Sequence, residues 1–135
     1  MTYPIAQIDG LGPEALRRLK SIGIRTTGKF LEAASSAKGR KRVAQETGLA
    51  ETDLLAWANL ADCMRIRGMG KAKAELLRAA GVNTVRELAH RNPARLAKAM
   101  EDANRERKLV RALPSDRSVA KLIELAQRLP IKISY

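Results

Sequence analysis

The stretch Ile66-Arg67-Gly68-Met69-Gly70-Lys71-Ala72-Lys73 predicts a tight turn that opens onto a helix. Glycine adopts backbone angles that other residues avoid, and it leaves room for another chain to come close. A helix starting after Gly70 directs free N–H groups and its positive dipole end outward, which favours a phosphate. Lys71 and Lys73 oppose that dipole, so anion binding explains them better than helix stability does. The alternative is an interhelical turn with two solvated lysines.

The same pattern occurs earlier in the chain. The stretch Ile8-Asp9-Gly10-Leu11-Gly12 matches Ile66-Arg67-Gly68-Met69-Gly70 at an offset of 58 residues. The correspondence continues through five further pairs, which are Leu19 and Leu77, Gly23 and Gly81, Ile24 and Val82, Thr26 and Thr84, and Phe30 and Leu88. Each copy therefore predicts a turn, a helix, a glycine turn, an N-cap threonine and a second helix, as in a duplicated structural unit.

The tails of the two units also correspond, at an offset of 68. Leu54-Leu55 matches Leu122-Ile123, and Ala58 matches Ala126, so the second unit is about ten residues longer, between residues 92 and 118. Aromatic residues make up only 3% of the chain, which favours an aliphatic core between helices. We predict an all-α fold of about eight short helices. Two tandem units, residues 1–63 and 64–135, are expected to share one compact body.

The repeated pattern of glycine turn, helix and Gly-Ile/Val-x-Thr resembles the helix-hairpin-helix motif. Many DNA repair and recombination proteins use that motif to grip the DNA backbone without reading its sequence. Over residues 5–130 the chain resembles an uncharacterised bacterial family built from two such units. The family-like signatures are Ala61-Asp62-Cys63-Met64-Arg65-Ile66, Glu87-Leu88-Ala89-His90-Arg91-Asn92-Pro93 and Leu109-Val110-Arg111-Ala112-Leu113-Pro114-Ser115. The resemblance implies a tandem helix-hairpin-helix fold and leaves the biological role open.

The net charge of +12 is unevenly distributed along the chain. Residues 1–63 carry nine Lys or Arg and seven Asp or Glu, a net charge of +2. Residues 64–135 carry seventeen and seven, a net charge of +10. This asymmetry indicates a basic face on the second unit and a polyanionic partner. The alternative is a generally basic protein whose surface arginines bind nothing specific.

The two glycine turns differ in their suitability for a phosphate. Pro13 follows the first turn and has no N–H to donate, while Asp9 and Glu14 would repel an anion. The first turn is therefore better suited to structure or to a weaker second grip. We predict that the nucleic-acid-binding residues are Arg67, Gly68, Gly70, Lys71 and Lys73, with a lesser contribution from Gly10 and Gly12.

No catalytic, cofactor or metal site is predicted. The sequence does not match the phosphate-binding loop of nucleotide hydrolases. That motif needs glycine at position 65 and serine or threonine at position 72, where this chain has arginine and alanine. No His/Cys cluster has zinc spacing, and the acidic residues are scattered. A single cysteine fits a reducing compartment, and neither a membrane span nor a signal peptide is apparent, so we expect the bacterial cytoplasm or nucleoid and no membrane association.

Two further stretches carry expectations. Arg40-Lys41-Arg42 is predicted at the start of a helix that ends near residue 47, as a solvated helix start in preference to a secondary DNA contact. Ile131-Lys132-Ile133-Ser134-Tyr135 alternates like a strand without a partner, which predicts an extended tail that docks or mediates self-association.

The sequence favours a non-catalytic, sequence-independent DNA-binding module. A protein-interaction or oligomerisation module without nucleic-acid contact is the alternative, and the charge is equally compatible with RNA.

Overall fold

The computed structural model describes residues 2–135, and this part of the chain is all-α, with eight α-helices and no strand. The helices are α1 Pro13–Ser21, α2 Thr27–Ala34, α3 Ala37–Thr47, α4 Glu51–Cys63, α5 Lys71–Ala79, α6 Val85–Ala89, α7 Pro93–Arg107 and α8 Asp116–Arg128. A short 3-10 helix, Ile5–Gln7, precedes them, and Met1 lies outside the described residues. The prediction of an all-α fold with about eight helices is confirmed. Among these helices of residues 2–135, none has the length and apolar character needed to cross a membrane.

The duplication predicted from the sequence is visible in the backbone. Helix α5 begins and ends 58 residues after α1, and both helices are nine residues long. The glycine turn after α1 is closed by the N–H of Gly23, which donates to Lys20 O at 3.0 Å, and the N–H of Gly81 donates to Arg78 O at 3.0 Å. Equal local sequence patterns therefore produce equal backbone hydrogen bonds.

Threonine starts the second helix of each unit. The Thr26 hydroxyl accepts a hydrogen bond from the Lys29 N–H at 3.1 Å, and the Thr84 hydroxyl accepts one from the Glu87 N–H at 3.0 Å. Each bond satisfies one of the N–H groups that have no partner within the helix. The Glu87 carboxylate accepts from the Asn83 N–H at 3.4 Å, which adds a return bond at the start of α6.

The core is a single aliphatic cluster to which both units contribute. The apolar pairs matched at an offset of 58 lie in it, namely Leu19 and Leu77, Ile24 and Val82, and Phe30 and Leu88. Packing follows the same repeat, since α4 packs on α2 and α8 packs on α6. The core is continuous because α4 also contacts α6, so the two units form one body.

The extra length of the second unit lies in one helix and one loop. Helix α7 has 15 residues, whereas its counterpart α3 has 11. The connection from α7 to α8, residues 108–115, is also longer than the connection from α3 to α4, residues 48–50. Both differences fall within the interval 92–118 that the sequence comparison indicated.

The prediction for Arg40 as part of a solvated helix start is wrong. Helix α3 begins at Ala37, capped by Ser36, so Arg40 lies within the helix and its exposed fraction is only 5%. Its guanidinium donates to Ala34 O at 2.9 Å and to Ser134 O at 2.6 Å. The residues that follow it, Lys41 and Arg42, are exposed.

The C-terminal tail is extended, as predicted, and it docks on its own chain. The Ser134 N–H donates to Ser35 O at 2.8 Å, and the Ile133 side chain is buried. Arg65 donates to Pro130 O at 3.1 Å and to the buried Asp62 carboxylate through Nε at 2.6 Å. The bond between Ser134 and Ser35 returns the end of the second unit to the first.

Candidate nucleic-acid interface

The second glycine turn has the geometry that its sequence predicts. Gly68 has a φ of +85°, in the left-handed region that favours glycine. The Met69 N–H closes the turn by donating to Ile66 O at 3.0 Å, and both side chains are buried in the core. Ile66 and Met69 therefore anchor the turn to the core, while Arg67 and Gly68 between them are exposed.

Helix α5 starts at Lys71 with Gly70 as its N-cap. Gly70 has an extended backbone, with φ −87° and ψ −177°, and offers no side-chain cap to the helix. The first intrahelical acceptor is Gly70 O, which binds the Ala74 N–H at 3.0 Å. Within residues 2–135 no side chain caps the N–H groups of Lys71, Ala72 and Lys73, which point along the axis at the positive end of the helix dipole. These three donors can bind an oxyanion.

The cations around the turn are largely free of acidic partners. Arg67 is exposed and Lys73 is half-buried, and no carboxylate described in residues 2–135 lies within salt-bridge distance of either. Lys71 Nζ lies 3.9 Å from the Glu75 carboxylate, a long contact between partly exposed groups that stabilises the protein little. The turn therefore presents three cations and three backbone donors at one helix start.

The first glycine turn repeats this backbone and differs in its surroundings. Gly10 has a φ of +82°, and Gly12 is the N-cap of α1 with an extended backbone. A Cβ added to Gly10 would lie 3.6 Å from Arg78 and 3.9 Å from the Trp57 indole nitrogen, so the turn packs against α4 and α5. Its Asp9 carboxylate accepts from Arg78 at 3.2 Å. The first turn thus joins the two units.

An acidic side chain lies between the two turns. Glu75 on α5 is only 19% exposed, and burial raises the pKa of its carboxyl, as does the neighbouring Asp9 carboxyl, while Lys71 and Arg107 lower it. The raised pKa indicates that the negative charge of Glu75 is poorly accommodated in the fold. Glu75 also partly offsets the potential of Lys71, so it weakens attraction for an anion at this turn.

Four residues near the candidate site are not among the predicted nucleic-acid-binding residues, namely Glu75, Arg78, Asp9 and Arg107. Glu75 stands four residues after Lys71, a helical spacing that signals contact between opposite charges. Arg78 and Asp9 are 69 residues apart, and nothing local in the sequence signals their contact. Arg107 approaches α5 because α7 packs on that helix.

Cys63 has no role at this site. Its side chain is buried at the end of α4, and burial raises the pKa of the thiol to about 12, so it is un-ionised near neutral pH. In this environment Cys63 acts as a small buried apolar residue of the core.

These features define a basic, all-helical protein with two glycine-turn hairpins around one core. The family model described as a domain of unknown function (DUF4332) matches residues 9–129, and the chain belongs to this family. Comparisons with curated proteins and with solved structures gave no match.

Proposed function

We propose that the protein is a non-catalytic, sequence-independent DNA-binding module of the helix-hairpin-helix type. The observation that carries the proposal is the start of α5, where three uncapped N–H groups coincide with Arg67, Lys71 and Lys73. In the mechanism, one backbone phosphate accepts hydrogen bonds from the N–H groups of residues 71–73. The cations add attraction for the adjacent phosphates and displace the counterions condensed on them.

The contrast between the two turns supports this site. A structural turn needs only the glycine geometry and the buried apolar residues, which both copies have. The copy at Gly10 carries Asp9, Pro13 and Glu14, whereas the copy at Gly68 carries Arg67 and Lys71. The two turns have the same backbone conformation, but they differ in charge and in N–H donors. These differences make the Gly68 turn better suited to an anion than the Gly10 turn. Contacts limited to phosphates would position the protein on DNA without selecting a sequence.

The test is fluorescence anisotropy with labelled duplex and single-stranded DNA of unrelated sequences, across a salt series. We expect an affinity of the wild-type protein that falls steeply with salt concentration. The double variant Lys71→Glu and Lys73→Glu should bind more weakly, and its affinity should depend less on salt. The slope should fall by about 0.9 for each phosphate of duplex DNA that the variant no longer neutralises. Acidic residues in the first turn of a helix are favourable to the dipole, so α5 should remain folded.

The matched control is the double variant Lys38→Glu and Lys41→Glu. These lysines are exposed in the first half of α3, and the variant changes the net charge by the same amount. Loss of affinity at Lys71 and Lys73 with retention in the control supports the site. Equal affinity in both variants and the wild-type protein overturns it. A labelled RNA duplex in the same series shows whether the module distinguishes DNA from RNA.

Self-association is the second candidate function, and the tail is the observation that favours it. Ile131 is 94% exposed, and Tyr135 near it is also exposed. We propose that a second copy covers Ile131 if the protein acts as an oligomerisation module. Light scattering should then report a dimer that Ile131→Ser converts to monomer without changing DNA affinity. A wild-type monomer at high concentration would exclude this candidate.

A further inference from the structure

The loop that makes the second unit longer is strongly basic. Arg107 ends α7, and Lys108 and Arg111 follow it in the connection to α8. All three are exposed, and in the described residues 2–135 no carboxylate lies within salt-bridge distance of them. Arg105, by contrast, pairs with Glu101 and Asp102 on α7. Glu106 is the only acidic residue among residues 105–113.

The loop is held in one conformation by its own polar contacts. The Asn104 side chain donates to Val110 O at 3.1 Å and accepts from the Val110 N–H at 3.0 Å, so one amide fixes the chain six residues later. Leu109 and Val110 also pack against the core. The cations on either side of this anchor are therefore presented by an ordered loop, which lowers the entropy that binding must remove.

Lys108 occupies a backbone conformation that does not suit its side chain. Its φ is +50°, and it is the only non-glycine residue of the described chain with a positive φ. Glycine is usual at this position after a helix, because a Cβ crowds the carbonyl oxygen in the left-handed region. A lysine here costs stability that glycine would not, and its exposed charge lies at the end of the helix. Strain of this kind often marks functional positions.

Helix packing brings this loop towards the second glycine turn. Helix α7 packs on α5, and Arg107 lies close enough to Glu75 of α5 to stabilise its charged form. Glu75 in turn contacts Lys71 in the first turn of α5. Arg107, at the start of this loop, and Lys71, beside the Gly68 turn, therefore both interact with Glu75 of α5.

We propose that the loop 107–111 is a second phosphate-binding element, through which Lys108 and Arg111 contact the same nucleic-acid backbone that the Gly68 turn grips. The inference rests on the proposed function, because it names a further part of the same interface. It assigns a role to the residues by which the second unit exceeds the first. The binding surface extends along one side of the second unit, and the first unit supports it.

The test compares the double variant Lys108→Gly and Arg111→Gln with the wild-type protein by anisotropy on duplex DNA across a salt series. Each phosphate that is no longer neutralised should lower affinity about eightfold at about 0.1 M salt and reduce the salt slope by about 0.9. Thermal denaturation should show that Lys108→Gly alone raises the unfolding midpoint, because glycine relieves the left-handed strain. A variant that is more stable and binds more weakly separates binding from folding.

The matched control removes two charges elsewhere, through Lys38→Gln and Lys41→Gln on α3. Weaker binding of the loop variant with wild-type affinity in this control supports the proposal. Equal losses of affinity in the loop variant and the control overturn the proposal, because net charge alone then sets the affinity.

Wild-type affinity in the loop variant, together with loss of affinity in the Lys71→Glu and Lys73→Glu variant, overturns the inference and leaves the proposed function intact. Absence of any binding by the wild-type protein at low salt overturns both. Should Lys108→Gly fail to fold, Arg111→Gln alone, in exposed chain, serves as the variant.

Discussion

Gly68 illustrates how a single residue determines a turn. Its φ of +85° lies in the left-handed region, and a Cβ added to it would meet no atom within 4 Å, so backbone strain is the only obstacle to substitution. We expect Gly68→Ala to lower the free energy of unfolding by about 1 kcal/mol. Gly68→Asn should cost less, because asparagine tolerates left-handed angles better than alanine does. Chemical denaturation measures both, and equal costs for the two would contradict the strain argument.

Glu75 supplies a second prediction at the residue scale, on the dependence of stability on pH. Burial raises the pKa of its carboxyl, and Asp9 raises it further, so the folded protein binds a proton more readily than the unfolded chain does. Stability is therefore gained as the pH falls through the raised pKa, is fully present below the ordinary value of 4.5, and is lost as the pH rises. Glu75→Gln should stabilise the protein at neutral pH and lose that advantage below pH 4.5.

The measurement is denaturant unfolding of the wild-type protein and of Glu75→Gln from about pH 4 to about pH 8, in steps of about half a pH unit. Glu46→Gln removes an exposed carboxylate from α3 and corrects for the loss of one negative charge from a basic protein. A stability difference that does not change with pH would show that the Glu75 carboxyl is not destabilised in the fold. Glu75→Gln should also increase DNA affinity, since the negative charge beside Lys71 is gone.

At the scale of the element, the N-caps are the features that the sequence predicts best. Thr26 and Thr84 cap α2 and α6 with the same hydrogen bond, so Thr26→Ala and Thr84→Ala should each cost about 1 kcal/mol. Thr52→Ala is the control, because Thr52 is exposed inside α4 and alanine is the better helix former. Thermal unfolding tests the three variants. If Thr52→Ala destabilises the protein as much as the cap variants do, the capping hydrogen bonds do not account for the loss of stability.

The long α7 and the loop after it show the limit of prediction at this scale. The sequence comparison located the extra ten residues between 92 and 118, and the structure divides them between α7 and the loop 108–115. The left-handed conformation of Lys108 could not be foreseen, because lysine does not signal it. The Asn104 side chain hydrogen-bonds to Val110 on the far side of Lys108, and the local sequence does not signal this contact.

At the scale of the whole molecule, Arg40 connects the tail to the body. Its guanidinium donates to Ala34 O and to Ser134 O, and Ser134 lies 94 residues after Arg40 in the chain. We expect Arg40→Ala to lower the free energy of unfolding by about 2 kcal/mol, because the buried Ala34 carbonyl and the partly buried Ser134 carbonyl lose a charged donor. The exposed Arg42→Ala should change it by less than about 0.5 kcal/mol. Hydrogen exchange of the Ser134 amide should accelerate in Arg40→Ala, and an unchanged rate would show that the tail is held by other contacts.

The contacts between the two units also belong to this scale. Hydrogen bonds cross the predicted boundary between residues 63 and 64, among them those of Asp9 with Arg78 and of Ser134 with Ser35. The hydrophobic core crosses it as well. The division into 1–63 and 64–135 rests on the repeat in the sequence and stays a prediction.

The features that depend on neighbouring residues can be predicted from the sequence. Helix starts, glycine turns and the buried positions matched at an offset of 58 follow from backbone preference and helical periodicity, which act over a few residues. The three-dimensional packing reveals that Arg40 is buried, that the Gly10 turn is bound to Arg78, and that Glu75 lies near one cation of α5 and one of α7. The physical reason is that these environments arise from side chains distant in sequence, which the packing of helices brings together.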